Sequence, residues 1–270
     1  MSRLSYAWRA ALGLNPAGRR LTVLPDDIFI VSYPRSGNTW TRFLIGNLLN
    51  PNSPVTFANV ELRIPEIYLC TDQQLRELAT PRIMKSHEYF DPRYKKIIYL
   101  VRDPRDVAVS LYHYSLKRQN IPDGYPLDEF VPRFISGEFF VGCGNWEEHV
   151  LSWLAPRRRS NSFLLIRYED LLANPLEALA KVASGLQLAT TSETLTRAVA
   201  LSSAAEMRDS EKKHSADWKL TKNTREDIPF VREAKSGGWQ GKLSPVGVQQ
   251  IEHAWGQTMQ EIGYPVSTVP

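Results

Sequence analysis

The sequence predicts an α/β fold, a single domain in which a central parallel β-sheet is flanked by helices. Three observations predict it. Short apolar runs of strand length alternate with stretches of helical period, the pattern of a parallel sheet covered on both faces. The 270 residues are 43% hydrophobic, enough for one large core or two small ones. No internal repeat or low-complexity segment interrupts the alternation.

The elements follow in order. Residues 27–32, DIFIVS, form an apolar run that reads as a buried strand and ends in a loop holding Pro34 and Gly37. From Thr39 to Asn50, the residues Trp40, Phe43, Leu44 and Leu48 recur at helical spacing, and the stretch from Pro51 to Pro54 ends that helix. A second short strand lies at 82–85, and the strongest strand is KIIYLV at 96–101. Asp103 as N-cap and Pro104 in the first turn then start a helix that runs to Lys117 or Arg118. Residues 163–168 give another strand, with a helix from Pro175. Between 207 and 242 the chain is polar and charged with little periodicity, which predicts a lid-like segment. Residues 244–263 return to an amphipathic helix.

Charge and cysteine content narrow the function. The formal charge is +4 and the pI is near 9.0. That bias is too weak to argue for nucleic acid, but it suits an enzyme with a polyanionic substrate. Cys70 and Cys143 have no metal-ligand spacing. They read as free thiols of a reducing compartment, so the expected location is cytoplasmic. No apolar run is long enough for a transmembrane segment. Residues 1–20 carry Arg3, Arg9, Arg19 and Arg20 around an apolar stretch that Arg9 interrupts. No secretory signal is expected there. Residues 1–25 read as a basic helical extension, packed on the domain or in weak contact with a membrane. Residues 26–270 read as the main domain.

Three constellations carry chemistry. The loop 34–39, PRSGNT, lies between a buried strand and a helix. Its backbone N–H groups and the helix start make an anion cradle. Arg35 adds a fixed charge, and Ser36, Asn38 and Thr39 add hydrogen-bonding groups. The GxxxxGK[ST] pattern is absent, which argues against an ordinary ATPase. From chemistry alone, a plain strand-to-helix turn explains the loop equally well. Second, Arg102 ends a predicted parallel strand, where open α/β sheets bind ligands. Ser110 follows about two turns into the next helix, roughly 10 Å along its axis. An ion pair of Arg102 with Asp103 or Asp106 is the alternative. Third, Lys85-Ser86-His87 follows the second strand. A histidine suits a general base, and a nearby lysine can neutralise developing charge. Glu88 and Glu66 are rival bases.

Residues 33–40, YPRSGNTW, resemble the 5′-phosphosulfate loop of sulfotransferases that use 3′-phosphoadenosine 5′-phosphosulfate (PAPS), whose usual form is YPKSGTTW. The resemblance implies that Arg35, Ser36, Gly37, Asn38 and Thr39 hold the 5′-phosphosulfate and that Trp40 lies against adenine. Arg stands where Lys is usual. Because Arg35 cannot deprotonate, its implied role is electrostatic. Residues 99–110 resemble the family's 3′-phosphate segment, which assigns Arg102 and Ser110. Residues 85–87 resemble its K-T-H element, which makes His87 the base and Lys85 a contact of the transferring group.

Weaker matches extend the likeness. Tyr168 in residues 165–170 and Ser202 in 202–207 fall at adenine-contacting positions. Residues 230–239, FVREAKSGGW, resemble the F-x-R-K-G-x-x-G-x-W segment over the 3′-phosphate, with Phe230, Arg232, Gly237 and Trp239 matching. Glu233 and Ala234 replace the usual Lys-Gly. Arg232 is therefore expected to carry most of the contact. The family's dimer motif is not recognisable near Gln240, so no oligomeric state is read.

The implied protein is a PAPS-dependent sulfotransferase with a P-loop NTPase-like fold. It would transfer a sulfuryl group in line to an acceptor hydroxyl of an alcohol, phenol or sugar, with no metal and a His general base. Its partners would be a small-molecule, glycan or lipid acceptor, and no nucleic acid. Two other readings stay open. One is a P-loop kinase-like phosphotransferase, for which Asp103 is the candidate Mg²⁺ ligand. The other is a non-catalytic nucleotide-binding protein.

Overall fold

The computed structural model describes residues 15–140 and 142–267. Among these residues, four strands form one sheet: β1 (Ile28–Ser32), β2 (Ile83–Ser86), β3 (Lys96–Val101) and β4 (Phe163–Arg167). All pairs are parallel, in the order β2-β1-β3-β4. The strand boundaries agree with the sequence reading to within one residue.

Helices cover both faces. Side chains alternate along each strand, so successive residues enter opposite cores. Phe29 and Val31 of β1 join Ile97, Tyr99 and Val101 of β3 in one core. That core is closed by α4 (Pro104–Lys117), α5 (Leu127–Ile135), α6 (Trp146–Arg157) and α11 (Pro245–Glu261) through Val107, Phe130, Trp153 and Trp255. Ile28 and Ile30 join Ile98 and Leu100 in the other. There α1 (Asn38–Leu49), α8 (Pro175–Gly185) and α9 (Ser192–Leu201) supply Leu44, Leu179 and Ala198. Short helices α2 (Val60–Arg63), α3 (Asp72–Arg76) and α7 (Tyr168–Ala173) fill connections.

The segment read as aperiodic begins inside a helix. Helix α10 spans Ala204–His214 and buries only Met207, Ser210 and Glu211. So few inward residues give no visible period. Beyond it, residues 215–244 run as turns and bends. The expected N-terminal helix falls mainly on residues 1–14, outside the described residues. Its described end is a single 3₁₀ turn, Gly18–Arg20. Among the described residues no helix is long and apolar enough to cross a membrane.

Two features position the site. The chain leaves β1 toward β2 on one side, while β3 pairs on the other. The strand order therefore reverses beside β1, which opens a crevice at its carboxyl end. The amino ends are clamped by a buried pair: Arg82 Nε donates to Asp27 Oδ1 at 2.7 Å, and both residues are 1% exposed. Arg82 also donates to the carbonyls of Leu75 and Thr22. Asp27→Ala leaves that guanidinium buried without its counter-charge. The expected loss is about 3–5 kcal/mol, read as a lower urea midpoint. A midpoint within experimental error of wild type counts against the clamp.

Candidate active site

The cradle forms because Arg35 and Gly37 take left-handed backbone angles, φ 69° and 94°. Such residues turn backbone N–H groups toward a common concave side. Only glycine fits at 37: a Cβ there would lie 2.5 Å from the Tyr168 ring. Helix α1 starts at Asn38 with no side-chain cap on its first N–H groups, which leaves them for a ligand. Ser36 is buried and its Oγ has no hydrogen-bond partner. Asn38 instead turns back to the sheet, donating to Ile30 O and Ser32 Oγ at 3.1 Å.

Arg35 is held without a carboxylate among the described residues. Its Nε donates to Ser110 Oγ at 3.2 Å, and its guanidinium lies 4.6 Å and 4.7 Å from the Tyr114 and Phe230 ring centroids. Burial, reinforced by the charges of Arg102 and Arg232, lowers its pKa to about 10. Arg102 lies 4.3 Å over the Tyr168 ring and donates to the carbonyls of Arg35 and Lys235. Its nearest carboxylate contact, Asp106, is 3.9 Å away, and its Nε is buried without a partner. The ion-pair alternative for Arg102 is thus only weakly occupied, while Asp103 caps α4 and binds Arg105 with both oxygens.

His87 sits just past β2, beside the end of β1. Its Nδ1 lies 2.7 Å from the carbonyl oxygen of Ser32. A carbonyl only accepts, so Nδ1 carries the proton and Nε2 is left with a lone pair. Burial, and then the charge of Lys85, pushes the His87 pKa well below the usual 6.5. Two more groups hold its backbone: Cys143 Sγ at 3.1 Å and His149 Nε2 at 3.3 Å both lie against the His87 carbonyl. His149 in turn accepts from Tyr99 Oη at Nδ1, 2.9 Å away, which leaves Nε2 as the donor. Lys85 is buried, and its Nζ pairs with Glu66 at 2.8 Å.

A cavity of about 680 Å³ brings these residues together. It is lined by Arg35, Gly37, Asn38, Thr39 and Trp40 from the first motif, and by Lys85 and His87 from the third. Arg102, Ser110 and Tyr168 line it, as do Arg232, Glu233 and Ala234 from the segment after α10. Ala234 adopts φ 50°, a conformation that glycine takes more readily. Ser36 lies beneath the lining. Ser202 does not reach the cavity: its Oγ donates to Ala198 O and accepts from Asn47, while its carbonyl holds Trp40 Nε1. It acts on the site by placing Trp40. Among the aromatic residues, Tyr68 and Phe140 also line the cavity, whereas Trp146 is core.

Sequence reasoning missed the supports. Glu66 was weighed only as a base, yet it is the partner of Lys85. His149 lies in no motif, and Asp106 was weighed only as an ion-pair partner of Arg102; it matters because both of its oxygens accept backbone N–H groups from Gly237 and Trp239. Such long-range pairings leave no local pattern.

The family model described as Sulfotransferase domain matches residues 25–263. The chain belongs to the sulfotransferase family. Mouse sulfotransferase 1B1 is 30% identical over 251 residues, which cover 87% of this chain and 83% of that one. A retinol dehydratase in a complex with retinol and PAP superposes with a TM-score of 0.78 at 22% identity, covering 97% and 88% of the two chains. A mouse sulfotransferase complexed with PAP gives 0.72 at 23%, covering 94% and 90%. These structures share the fold of this sulfotransferase. Family membership makes the chain a sulfotransferase by class.

The His87 geometry predicts a titration. Its folded pKa lies below the unfolded value, so the imidazole stays neutral as pH falls through 6.5. Nitrogen-15 NMR should find the Nδ1–H tautomer and a midpoint below 6.5. A midpoint at or above 6.5, or an Nε2–H tautomer, contradicts the arrangement.

Proposed function

We propose that this sulfotransferase takes its sulfuryl group from PAPS and delivers it to the hydroxyl of a small-molecule, glycan or lipid acceptor, with His87 as general base. One observation carries the reading: a neutral His87, its lone pair on Nε2, shares one cavity with the carboxylate-free guanidinium of Arg35. His87 Nε2 takes the acceptor's proton. Arg35 stabilises the negative charge that develops on the leaving oxygen. Lys85 shares its charge with Glu66, so its contribution is smaller.

The residues fit the donor. Ser36 Oγ and Arg102 Nε are buried donors without partners, and the start of α1 lacks a side-chain cap. The 5′ end would rest on Arg35, Ser36, Gly37 and Thr39 with the backbone N–H of Asn38. The 3′-phosphate would rest on Arg102, Ser110 and Arg232, and adenine against Trp40 and near Tyr168. PAPS supplies an activated sulfuryl group there. The acceptor would enter between Tyr68 and Phe140, beside His87. The related retinol dehydratase crystallised with retinol favours an apolar alcohol among the acceptor classes. The free thiols of Cys70 and Cys143 fit a cytoplasmic location.

The kinase reading loses its support, because Asp103 is consumed by the helix cap and Arg105. The same transfer should therefore persist in EDTA; its loss on chelation would restore that reading.

A screen of acceptors with ³⁵S-labelled PAPS should give labelled product. His87→Ala should lower kcat by about 10²–10⁴-fold and still bind adenosine 3′,5′-bisphosphate. Near-normal turnover would remove His87 as the base. Arg102→Ala with Ser110→Ala should abolish bisphosphate binding. If the wild type binds 5′-AMP equally tightly, the 3′-phosphate assignment falls.

A further inference from the structure

Glu233 stands among three cations, one of which, Arg232, the nucleotide reading needs. Its Oε1 accepts from Arg232 Nη1 at 2.9 Å and from Lys242 Nζ. Its Oε2 pairs with Lys235 Nζ at 2.9 Å. Hydrogen bonds from Lys242 and Lys235 hold its pKa down at about 2, so it is ionised at any working pH. It lines the same cavity as Arg102 and Arg232.

The segment around it does not need this carboxylate to stay in place. Glu211 accepts from the backbone of Phe230 and Val231, at 2.5 and 2.9 Å. Arg208 donates to the carbonyls of Val231 and Arg232. At the far end Asp106 holds Gly237 and Trp239 at 2.8 and 2.9 Å, and Arg105 lies 4.2 Å over the Trp239 ring. Exposed ion pairs add little to stability in any case, and Glu233 is about one-third exposed.

We propose that Glu233 is a built-in counter-ion of the nucleotide site, competing with the donor's 3′-phosphate for Arg232 and so setting how tightly donor and product are held. This rests on the 3′-phosphate assignment of Arg102, Ser110 and Arg232. The physics is direct. A carboxylate fixed beside Arg232 repels a phosphate carrying nearly two charges, at short range and in a partly dry cavity. It also takes the place of a solution anion, so fewer ions are released when the phosphate arrives and the salt dependence of binding is shallow. Donor and product carry the same 3′-phosphate, so both are loosened. Looser product shortens its residence, and product release commonly limits turnover in enzymes with closing segments.

Calorimetric titration of adenosine 3′,5′-bisphosphate into wild type and Glu233→Gln tests this, at low and high salt, with 5′-AMP as the control. Thermal melts check that each variant is folded. Glu233→Gln should bind the bisphosphate about tenfold tighter at low salt and show a steeper salt dependence, with 5′-AMP unchanged. Lys242→Gln frees Glu233 from one partner and should weaken bisphosphate binding. Unchanged or weaker binding by Glu233→Gln overturns the proposal, as does equal tightening of 5′-AMP. If wild type fails to prefer the bisphosphate over 5′-AMP, the underlying nucleotide assignment fails and the proposal goes with it.

Discussion

The structure depends on cationic groups kept at the carboxyl end of a parallel sheet without full neutralisation. Elsewhere among the described residues the fully buried arginines meet carboxylates. Arg42 meets Glu61, Arg82 meets Asp27, and Arg105 meets both Asp103 and Glu252. Arg35 has a hydroxyl and two aromatic faces instead. Ring faces stabilise a guanidinium only modestly. Burying a charge so weakly compensated is unfavourable, and it persists because the surrounding fold holds it. The sheet clamp at the amino ends, the Gly37–Tyr168 contact and the packing of both cores fix the crevice that carries Arg35 and Arg102. An anionic ligand then gains what the unliganded site forgoes.

How much of this was legible follows from the range of each interaction. Strands were readable because each is a local run of apolar residues, and all four strands lie within a residue of the expectation. Helix α4 was readable from Asp103 and Pro104, which act on the turn they begin. Helix α10 was not, because its inward face amounts to Met207, Ser210 and Glu211. The cavity-lining motif residues were readable because strand ends deliver them to one edge. The directions of Asn38 and Ser202 were not. Both side chains turn to backbone or side-chain partners within the fold, and a motif letter carries no direction. The supports His149, Asp106 and Glu66 make contacts across long sequence separations, and their sequence context is ordinary.

The departures from the usual motif are connected physically. Arg35 stands for a lysine, and Glu233-Ala234 for a lysine and a glycine. Both changes alter where positive charge is free. The first makes one charge permanent and planar. The second adds a carboxylate beside Arg232 and asks Ala234 to hold a left-handed angle. On the proposed placement of the nucleotide, Arg35 keeps a fixed charge at the sulfuryl end, and Glu233 tempers the cations at the 3′ end. That distribution would favour holding charge where bonds change over holding the nucleotide as such, which is how binding energy serves catalysis.

A fixed charge at Arg35 also separates two tasks. Its pKa is lowered only to about 10, so it stays protonated near neutrality and can stabilise negative charge but cannot exchange a proton. Lys85 is tied to Glu66. His87 is different: its tautomer is set by the Ser32 carbonyl and its neutrality by burial. On the proposed mechanism, proton transfer falls to a group whose lone pair is available across the neutral range, while the cations around it need not titrate. The His149 and Cys143 contacts to the His87 carbonyl matter in this light. They hold the backbone from which that lone pair is aimed, and aiming is what the proposed base, with no charge of its own, requires.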